Sequence, residues 1–363
     1  MWWVFPPLGL KLFPVELEGT NYEIGRQYGR KCGNIIKDCI TLNYRITNFY
    51  TGLSRDDCVR AVARHVPALI EYVPHLYEEM RGIADGSGLR FEDVLAHNFH
   101  GRDLLGGCTM IHVAGNLTEN GHTITAQTID WNPQLQPFYH VLRLRPDNAP
   151  QMLMFTLAGI IGLVGRNLEG VNVFMNILLT NEEIQTGVPA YPLLRSALES
   201  PSVLEAVSRL RGVKRCSPFN YLISDDEGEA INIEASADHF LTQQITNGYY
   251  VHTNHCLCEP LRSFDVYATR TESDETFRRW GRAAELLAQK TEGHRLSVQD
   301  IFQMLQDHQN YPDSICRHPA ESVAPEGQMG TVGAVVAEQH ARHLWVVWGN
   351  PCQNAPQQLH FQA

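Results

Sequence analysis

Residues 104–112 read LLGGCTMIH, which sets a cysteine behind two glycines at the head of a run of β-type residues. A glycine has no side chain to shield its carbonyl carbon, so the Cys108 thiol has open access to the Gly107–Cys108 peptide bond. Attack there would move the Gly107 acyl group to sulfur, and water would then free Cys108 as a new N-terminus. An α-amine titrates near about 7.7–8.0 in the absence of other influences, which suits a general base at neutral pH. Nucleophile and base would thus be one residue. The alternative is a plain buried cysteine at a strand start.

Two other stretches could complete such a site. In AQTIDWNP, strand alternation puts Gln127 and Ile129 on one face and Thr128 and Asp130 on the other, and Asp130 closes the strand expected beside Cys108. A carboxylate there can orient the new amine or a thiol proton. In YYVHTNHCLCEP, Asn254 offers an amide donor for the oxygen that becomes charged when an amide is attacked. The same stretch leaves two other readings open. His252 or His255 could serve as external base to an uncut cysteine hydrolase. With Cys256 and Cys258 they could instead hold a metal in a non-catalytic binding protein, although H-x-x-H beside C-x-C departs from common zinc spacings.

The elements that must position these residues change character along the chain. Up to about residue 99 the periodicity is mostly helical: TNYEIGRQYGRKCGNIIKDCI, a second helix N-capped by Ser54, then segments that stop at Gly86-Ser87-Gly88, and RFEDVLAHNF. From Cys108 the period becomes two. CTMIHVA and HTITAQTI, separated by Asn120-Gly121, read as antiparallel neighbours, and YHVLRLRP, MLMFTLAG and VNVFMNIL follow. After a helical stretch, FNYLISD, AINIEAS, FLTQQIT and YYVHTNH form a further strand set. Helices return at DETFRRWGRAAELLAQ and SVQDIFQMLQD before the closing strands TVGAVVAE and HLWVVWG. Two packed sheets with helices outside them, an α+β architecture, account for this order.

Composition limits the function classes. The chain has 363 residues, 44% hydrophobic and 19% charged, enough to bury a large core. A net charge of −11 with dispersed Lys and Arg argues against nucleic acid and acidic membrane surfaces as partners. The apolar start, MWWVFPPLGLKLF, is short and interrupted by prolines, and is expected to pack as an arm. Nine cysteines without C-x-x-C favour a reducing compartment.

Taken in order, EEMRGIADGSGLRFEDVLAHN, the GCT junction, AQTIDW, GIIGLVGRNLEGVNV, TGVPAYPLLRSALES, VHTNHCL and NYPDSICR resemble the acyl-coenzyme A:6-aminopenicillanic acid acyltransferase family of N-terminal nucleophile hydrolases. The resemblance implies a four-layer αββα sandwich formed by residues 1–363 as one domain. It implies cleavage between Gly107 and Cys108 into an N-terminal chain, 1–107, and a catalytic chain, 108–363, that stay associated. By motif, Cys108 takes the nucleophile position, with Asp130 and Asn254 as its catalytic partners. Gln127, Trp131, Asn176, His255, Gln328 and Met329 are the expected substrate-binding residues. The substrate would be a small linear amide, an N-acylated amine, amino acid or peptide, with acyl-coenzyme A or another acyl donor as partner. No cofactor and no metal are called for, and a cytosolic location is the default. One departure bears on substrate charge: penicillin-forming members carry Ser-Arg before the glycine of the penultimate strand, where Gln328-Met329 precedes Gly330 here. With Arg166 and Arg317 not expected to stand in, the amine side should be neutral, cationic or small.

Overall fold

The switch from helical to strand periodicity near Cys108 is borne out in the computed structural model, which describes residues 12–99, 106–269 and 274–362. Residues 1–11, most of the expected N-terminal arm, lie outside the described residues. The chain opens with β1 (Val15–Gly19) and α1 (Asn21–Thr51), where Thr20 and Glu23 form a reciprocal capping box. Ser54 and Asp57 repeat that device for α2 (Arg55–Ala63). Prolines then start α3 (Val66–Tyr72) and α4 (Pro74–Ser87), and α4 stops on Gly88 in the left-handed conformation before α5 (Phe91–His97).

Strands β2 (Gly107–Val113) and β3 (Ile124–Trp131) follow, then β4 (Tyr139–Pro146), β5 (Met152–Leu157), the four-residue β6 (Val164–Asn167) and β7 (Asn172–Ile177). Helices α6 (Ala190–Leu198) and α7 (Val203–Arg211) precede β8 (Phe219–Ser224), β9 (Ala230–Ala235), β10 (Phe240–Gln244) and β11 (Tyr249–His252). The chain continues through α8 (Leu261–Phe264), α9 (Glu275–Thr291) and α10 (Val298–Leu305) to β12 (Gly330–Glu338), β13 (His343–Trp348) and β14 (Gln357–His360).

These strands form two sheets, ordered β1-β4-β5-β6-β7-β8-β9-β10 and β11-β2-β3-β12-β13-β14. All pairings are antiparallel except β1 with β4. Helices α1, α6 and α7 lie on the larger sheet, with α4 and α5 behind α1, and α9 and α10 cover the smaller one. The result is the four-layer αββα sandwich. Among the described residues, no helix is long and apolar enough to cross a membrane.

Alternation on β2 and β3 decides what faces each layer. Ile111, Val113, Ile124 and Ala126 point outward to Ala283 and Leu287 of α9 and to Ile301 and Phe302 of α10. Cys108, Met110, Ile129 and Trp131 point inward and join the core between the sheets. The β2–β3 connection is longer than a two-residue hairpin. A short 3₁₀ turn over Gly115–Leu117 intervenes, and Thr118 bridges to Leu296, so the connection packs on the segment before α10. Gly121, with φ of 76°, still makes the turn that the Asn-Gly pair signals.

Burial reaches charged groups as well. Arg195 on α6 is fully buried, donating to Glu79 of α4 at 2.9 Å and to Glu199, one turn on, at 3.0 Å. These bonds clamp α4 to α6. Removing one member of a buried ion network leaves the others uncompensated, which typically costs about 3–5 kcal/mol. Arg195→Ala is therefore expected to lower stability by about that much, read as a shift of the urea midpoint; a loss within error would show that the clamp carries no stability.

Candidate active site

Cys108 lies second in β2, facing Ile129 of β3, while Gly107 faces Asp130. Neither glycine has a positive φ, so space is what bears on them, severely at Gly106 and more mildly at Gly107. A Cβ on Gly106 would come within 2.4 Å of the Trp131 ring and 2.5 Å of Ile177 Cδ1. A Cβ on Gly107 would sit 3.2 Å from Asp130 Oδ2 and 3.3 Å from Arg317 Nη1. The Gly107–Cys108 peptide thus runs between a carboxylate and a guanidinium.

Every polar group of Cys108 is engaged. Its backbone N–H donates to Asn254 Oδ1 at 3.0 Å, and its carbonyl accepts from Arg279 Nη1 at 2.6 Å. The thiol points into the space between the sheets, hydrogen-bonded to the Gln127 side chain and the Asp130 backbone. Burial first, and then the nearby Asp130 carboxylate, push this thiol up to about 12, so it is protonated at neutral pH.

Asp130 faces the other way, toward α9. Its Oδ1 accepts from Thr331 Oγ1 at 2.7 Å, whereas its buried Oδ2 has no hydrogen-bond partner among the described residues and faces Arg279 Nη1 at 4.0 Å. Burial raises the pKa of this carboxyl, against the pull of Arg279 and Arg317. Arg279 is 1% exposed and gathers the site. Nη1 also reaches Thr109 Oγ1 at 3.0 Å, Nη2 donates to Asn254 Oδ1 at 2.9 Å, and Nε donates to Glu275 at 2.8 Å. Sequence reasoning missed this residue because Glu275 and Arg279 read as an ordinary surface i,i+4 pair. The available signal is the buried stripe of α9, Thr276, Arg279, Ala283 and Leu287, in which an arginine occupies an apolar slot.

The remaining expected residues divide into two groups. Strand β6 ends early, so the edge of β7 past Val173 lacks a strand partner on that side. Gln127 fills it, with Oε1 accepting from the Met175 N–H at 3.1 Å and Nε2 donating to the Met175 carbonyl. Asn254 Nδ2 donates to the Ile177 carbonyl at 3.0 Å on the same edge. Asn254 therefore presents its carbonyl oxygen, and not its amide donor, to Cys108. Asn176, Asn220 and Glu234 form a row across β7, β8 and β9 that faces the smaller sheet. Asn220 donates to Asn176 Oδ1 at 3.1 Å, and the buried Asn176 Nδ2 has no hydrogen-bond partner among the described residues.

The histidines are committed elsewhere. His252 bonds Glu234 and the Thr253 carbonyl, both at 2.8 Å, and His255 bonds the Thr253 and Thr276 hydroxyls while stacking on Phe277. Burial holds His255 down to about 3. Their ligand atoms do not converge with those of Cys256 and Cys258, so among the described residues that stretch forms no metal cluster. Gln328 hydrogen-bonds the Ala320 and Val323 carbonyls of its own loop, and half-buried Met329 precedes Gly330, which pairs with Trp131. Arg166 is buried against Asp226 and Asn172. Arg317, by contrast, stands beside Gly107, because its segment pairs with Thr331 next to Asp130.

Residues 117–353 match the family described as AAT: Acyl-coenzyme A:6-aminopenicillanic acid acyl-transferase. The chain belongs to that family. It is 28% identical over 344 residues, 93% of this chain and 92% of the relative, to the acyl-coenzyme A:6-aminopenicillanic-acid-acyltransferase 40 kDa form of Emericella nidulans. It is also 23% identical over 258 residues, 62% of this chain and 58% of the relative, to protein dcd1A of Dictyostelium discoideum. Among solved structures, a conjugated bile acid hydrolase from Clostridium perfringens gives a TM-score of 0.45 at 12% identity, covering 70% of this chain and 97% of that one. A penicillin V acylase from Agrobacterium tumefaciens gives 0.44 at 11%, covering 66% and 82%. The AAT family is described as one of acyl-transferring enzymes.

The tight seat of Gly106 yields a test. Gly106→Ala forces the Trp131 ring and Ile177 apart and is expected to destabilise by about 1–3 kcal/mol. Gly281→Ala, on a helix with nothing within 4 Å of the new methyl, should instead stabilise by up to about 1 kcal/mol. Denaturant titration of both variants compares them, and equal shifts would contradict the packing argument.

Proposed function

We propose that the chain is a self-processing cysteine amidohydrolase or acyltransferase that acts on a small linear amide through an acyl-Cys108 thioester. One observation carries this reading: the Cys108 nitrogen is held by Asn254 at the end of β2, where Asp130 presents a buried oxygen that has no hydrogen-bond donor among the described residues and only the Arg279 guanidinium at 4.0 Å as a charge partner. An unmet acceptor in such a place costs free energy unless another donor arrives. Cutting the Gly107–Cys108 bond turns an amide nitrogen with one hydrogen into an amine with two or three, and supplies that donor.

The chemistry proceeds in two stages. In processing, the Cys108 sulfur bonds to the Gly107 carbonyl carbon, the C–N bond breaks, and the thiol proton ends on the Cys108 nitrogen. Water hydrolyses the thioester, releasing residues 1–107 with a Gly107 carboxylate and regenerating the thiol on residues 108–363. In turnover, the neutral amine takes the thiol proton and the thiolate attacks a substrate amide. The resulting ammonium then protonates the departing amine. Water completes hydrolysis of the acyl-enzyme, or a second amine accepts the acyl group. Asn254 Oδ1 and Asp130 Oδ2 orient the amine, and Arg279 keeps Asn254 in place. Asn176 Nδ2, a free donor facing the smaller sheet, is the group suited to the oxyanion. Arg279 and Arg317 are each already paired, with Glu275 and Asp313, which supports a substrate whose amine side is neutral, cationic or small.

Mass spectrometry of the purified protein should give a chain beginning at Cys108, and Cys108→Ala should stay intact and inactive. Fully intact wild-type protein with activity would refute self-processing. Asn176→Ala should lower kcat by about 10²–10³ with a smaller change in KM; unchanged turnover would remove Asn176 from the oxyanion site. The base must be neutral to act, so kcat/KM should be full above the amine pKa and fall as pH drops through it. The reference range is about 7.7–8.0 before the site shifts it. A profile flat across that range would exclude the amine as base.

A further inference from the structure

Away from Cys108, four side chains from three stretches of the chain aim their ligand atoms at one point: His308, after α10; Cys316 and His318, on the loop that follows; and Cys352, between β13 and β14. All four atoms lie within 4.8 Å of one another. His308 Nε2 is 3.1 Å from His318 Nε2, Cys316 Sγ is 3.5 Å from Cys352 Sγ, and His318 Nε2 is 3.7 Å and 3.5 Å from the two sulfurs. Zinc binds sulfur at about 2.3 Å and imidazole nitrogen at about 2.0–2.1 Å, so a tetrahedral site has S–S edges near about 3.8 Å and N–N edges near about 3.4 Å. The observed separations fit that figure with small adjustments.

We propose that His308, Cys316, His318 and Cys352 form a structural Cys₂His₂ zinc site. The donor set favours this metal: two sulfurs and two imidazoles in a tetrahedral arrangement suit zinc, and carboxylates are not among the ligands. Binding displaces one proton from each thiol, so the divalent cation, two thiolates and two neutral imidazoles sum to no net charge. A neutral centre is cheap to hold where Cys316 is buried. The surroundings suit a thiolate too: Asn350 Nδ2 lies 3.6 Å from Cys316 Sγ, and the Cys352 backbone N–H also points to that sulfur. The spacing H-x₇-C-x-H with a cysteine beyond β13 matches no common zinc signature, because the ligands meet only after the loop and the C-terminal turn pack together.

The consequence reaches the active site. Arg317 lies between two ligands, its carbonyl accepts from Asn350 Nδ2 at 2.8 Å, and its guanidinium stands beside Gly107. Zinc thus pins the segment that presents Arg317 to the cleavage point.

The test is independent of processing and activity. Untagged full chain, purified under reducing conditions without chelator, should contain one zinc by elemental analysis. After exchange with cobalt(II), it should show the visible bands of tetrahedral coordination and a thiolate-to-cobalt charge-transfer band. Cys352→Ser, a change at an exposed position, should lower retained metal about tenfold or more, as should His308→Ala. Cys258→Ser, outside the cluster, should retain it. Reduced wild-type protein that takes up neither zinc nor cobalt, or metal lost from Cys258→Ser and kept by Cys352→Ser, would overturn the proposal.

Discussion

The buried guanidinium of Arg279 is the constraint on which the site depends. Removing such an ion from water costs several kcal/mol unless acceptors meet its donors. Here the acceptors are the Cys108 carbonyl, Thr109, Asn254 and Glu275, drawn from β2, the turn after β11 and α9 itself. The position of α9 over the smaller sheet therefore has to match the position of the β2 terminus. Arg279 also decides how Asn254 is oriented. Two N–H donors, from Cys108 and Arg279, converge on one side of that amide, so its oxygen must lie there and its NH₂ must point to Ile177.

That orientation links the two sheets. Because β6 has only four residues, the backbone of β7 beyond Val173 would be left with buried polar groups unmet. Gln127 from β3 and Asn254 from the β11 turn satisfy them as a neighbouring strand would. The short strand and the buried amides are thus two sides of one arrangement, and it brings the thiol of Cys108 and the row of Asn176 and Asn220 into the same intersheet space. A longer β6 would close the edge and remove the reason for Gln127 to reach across.

Much of this was legible in the sequence. The change of period at Cys108, the Ser54 cap and the facing of Asp130 by the strand start at Cys108 follow from side-chain chemistry and alternation, and the structure agrees. What escaped was whatever depends on long-range packing. The glycines at 106 and 107 invite an explanation from backbone freedom, yet it is crowding that marks them: Trp131 and Ile177 leave no room for a side chain at Gly106, and Asp130 and Arg317 stand close to Gly107. Strands β6 and β14 are too short to show a period. Arg279 and Arg317 look like surface charges, and the four ligands around His318 are scattered over 45 positions with no common signature. A charged or metal-binding residue becomes informative only when its burial is known, and burial is a property of the assembled layers.

Under the proposed self-processing, the same packing bears on how the cut chain would differ from the intact one. In the intact chain Cys108 is 3% exposed and its thiol is held near 12, among the described residues no imidazole hydrogen-bonds it, and the nearest carboxylate raises its pKa further. Under the proposed mechanism, cleavage changes neither β2 nor its partners; it converts the nitrogen that Asn254 already holds into a base a few bonds from the sulfur. The Asp130 oxygen that lacks a hydrogen-bond donor among the described residues would then gain one, which favours the product side. Processing would need no rearrangement of the sheets, because Arg279, Asn254 and Asp130 already stand where the mature amine requires them.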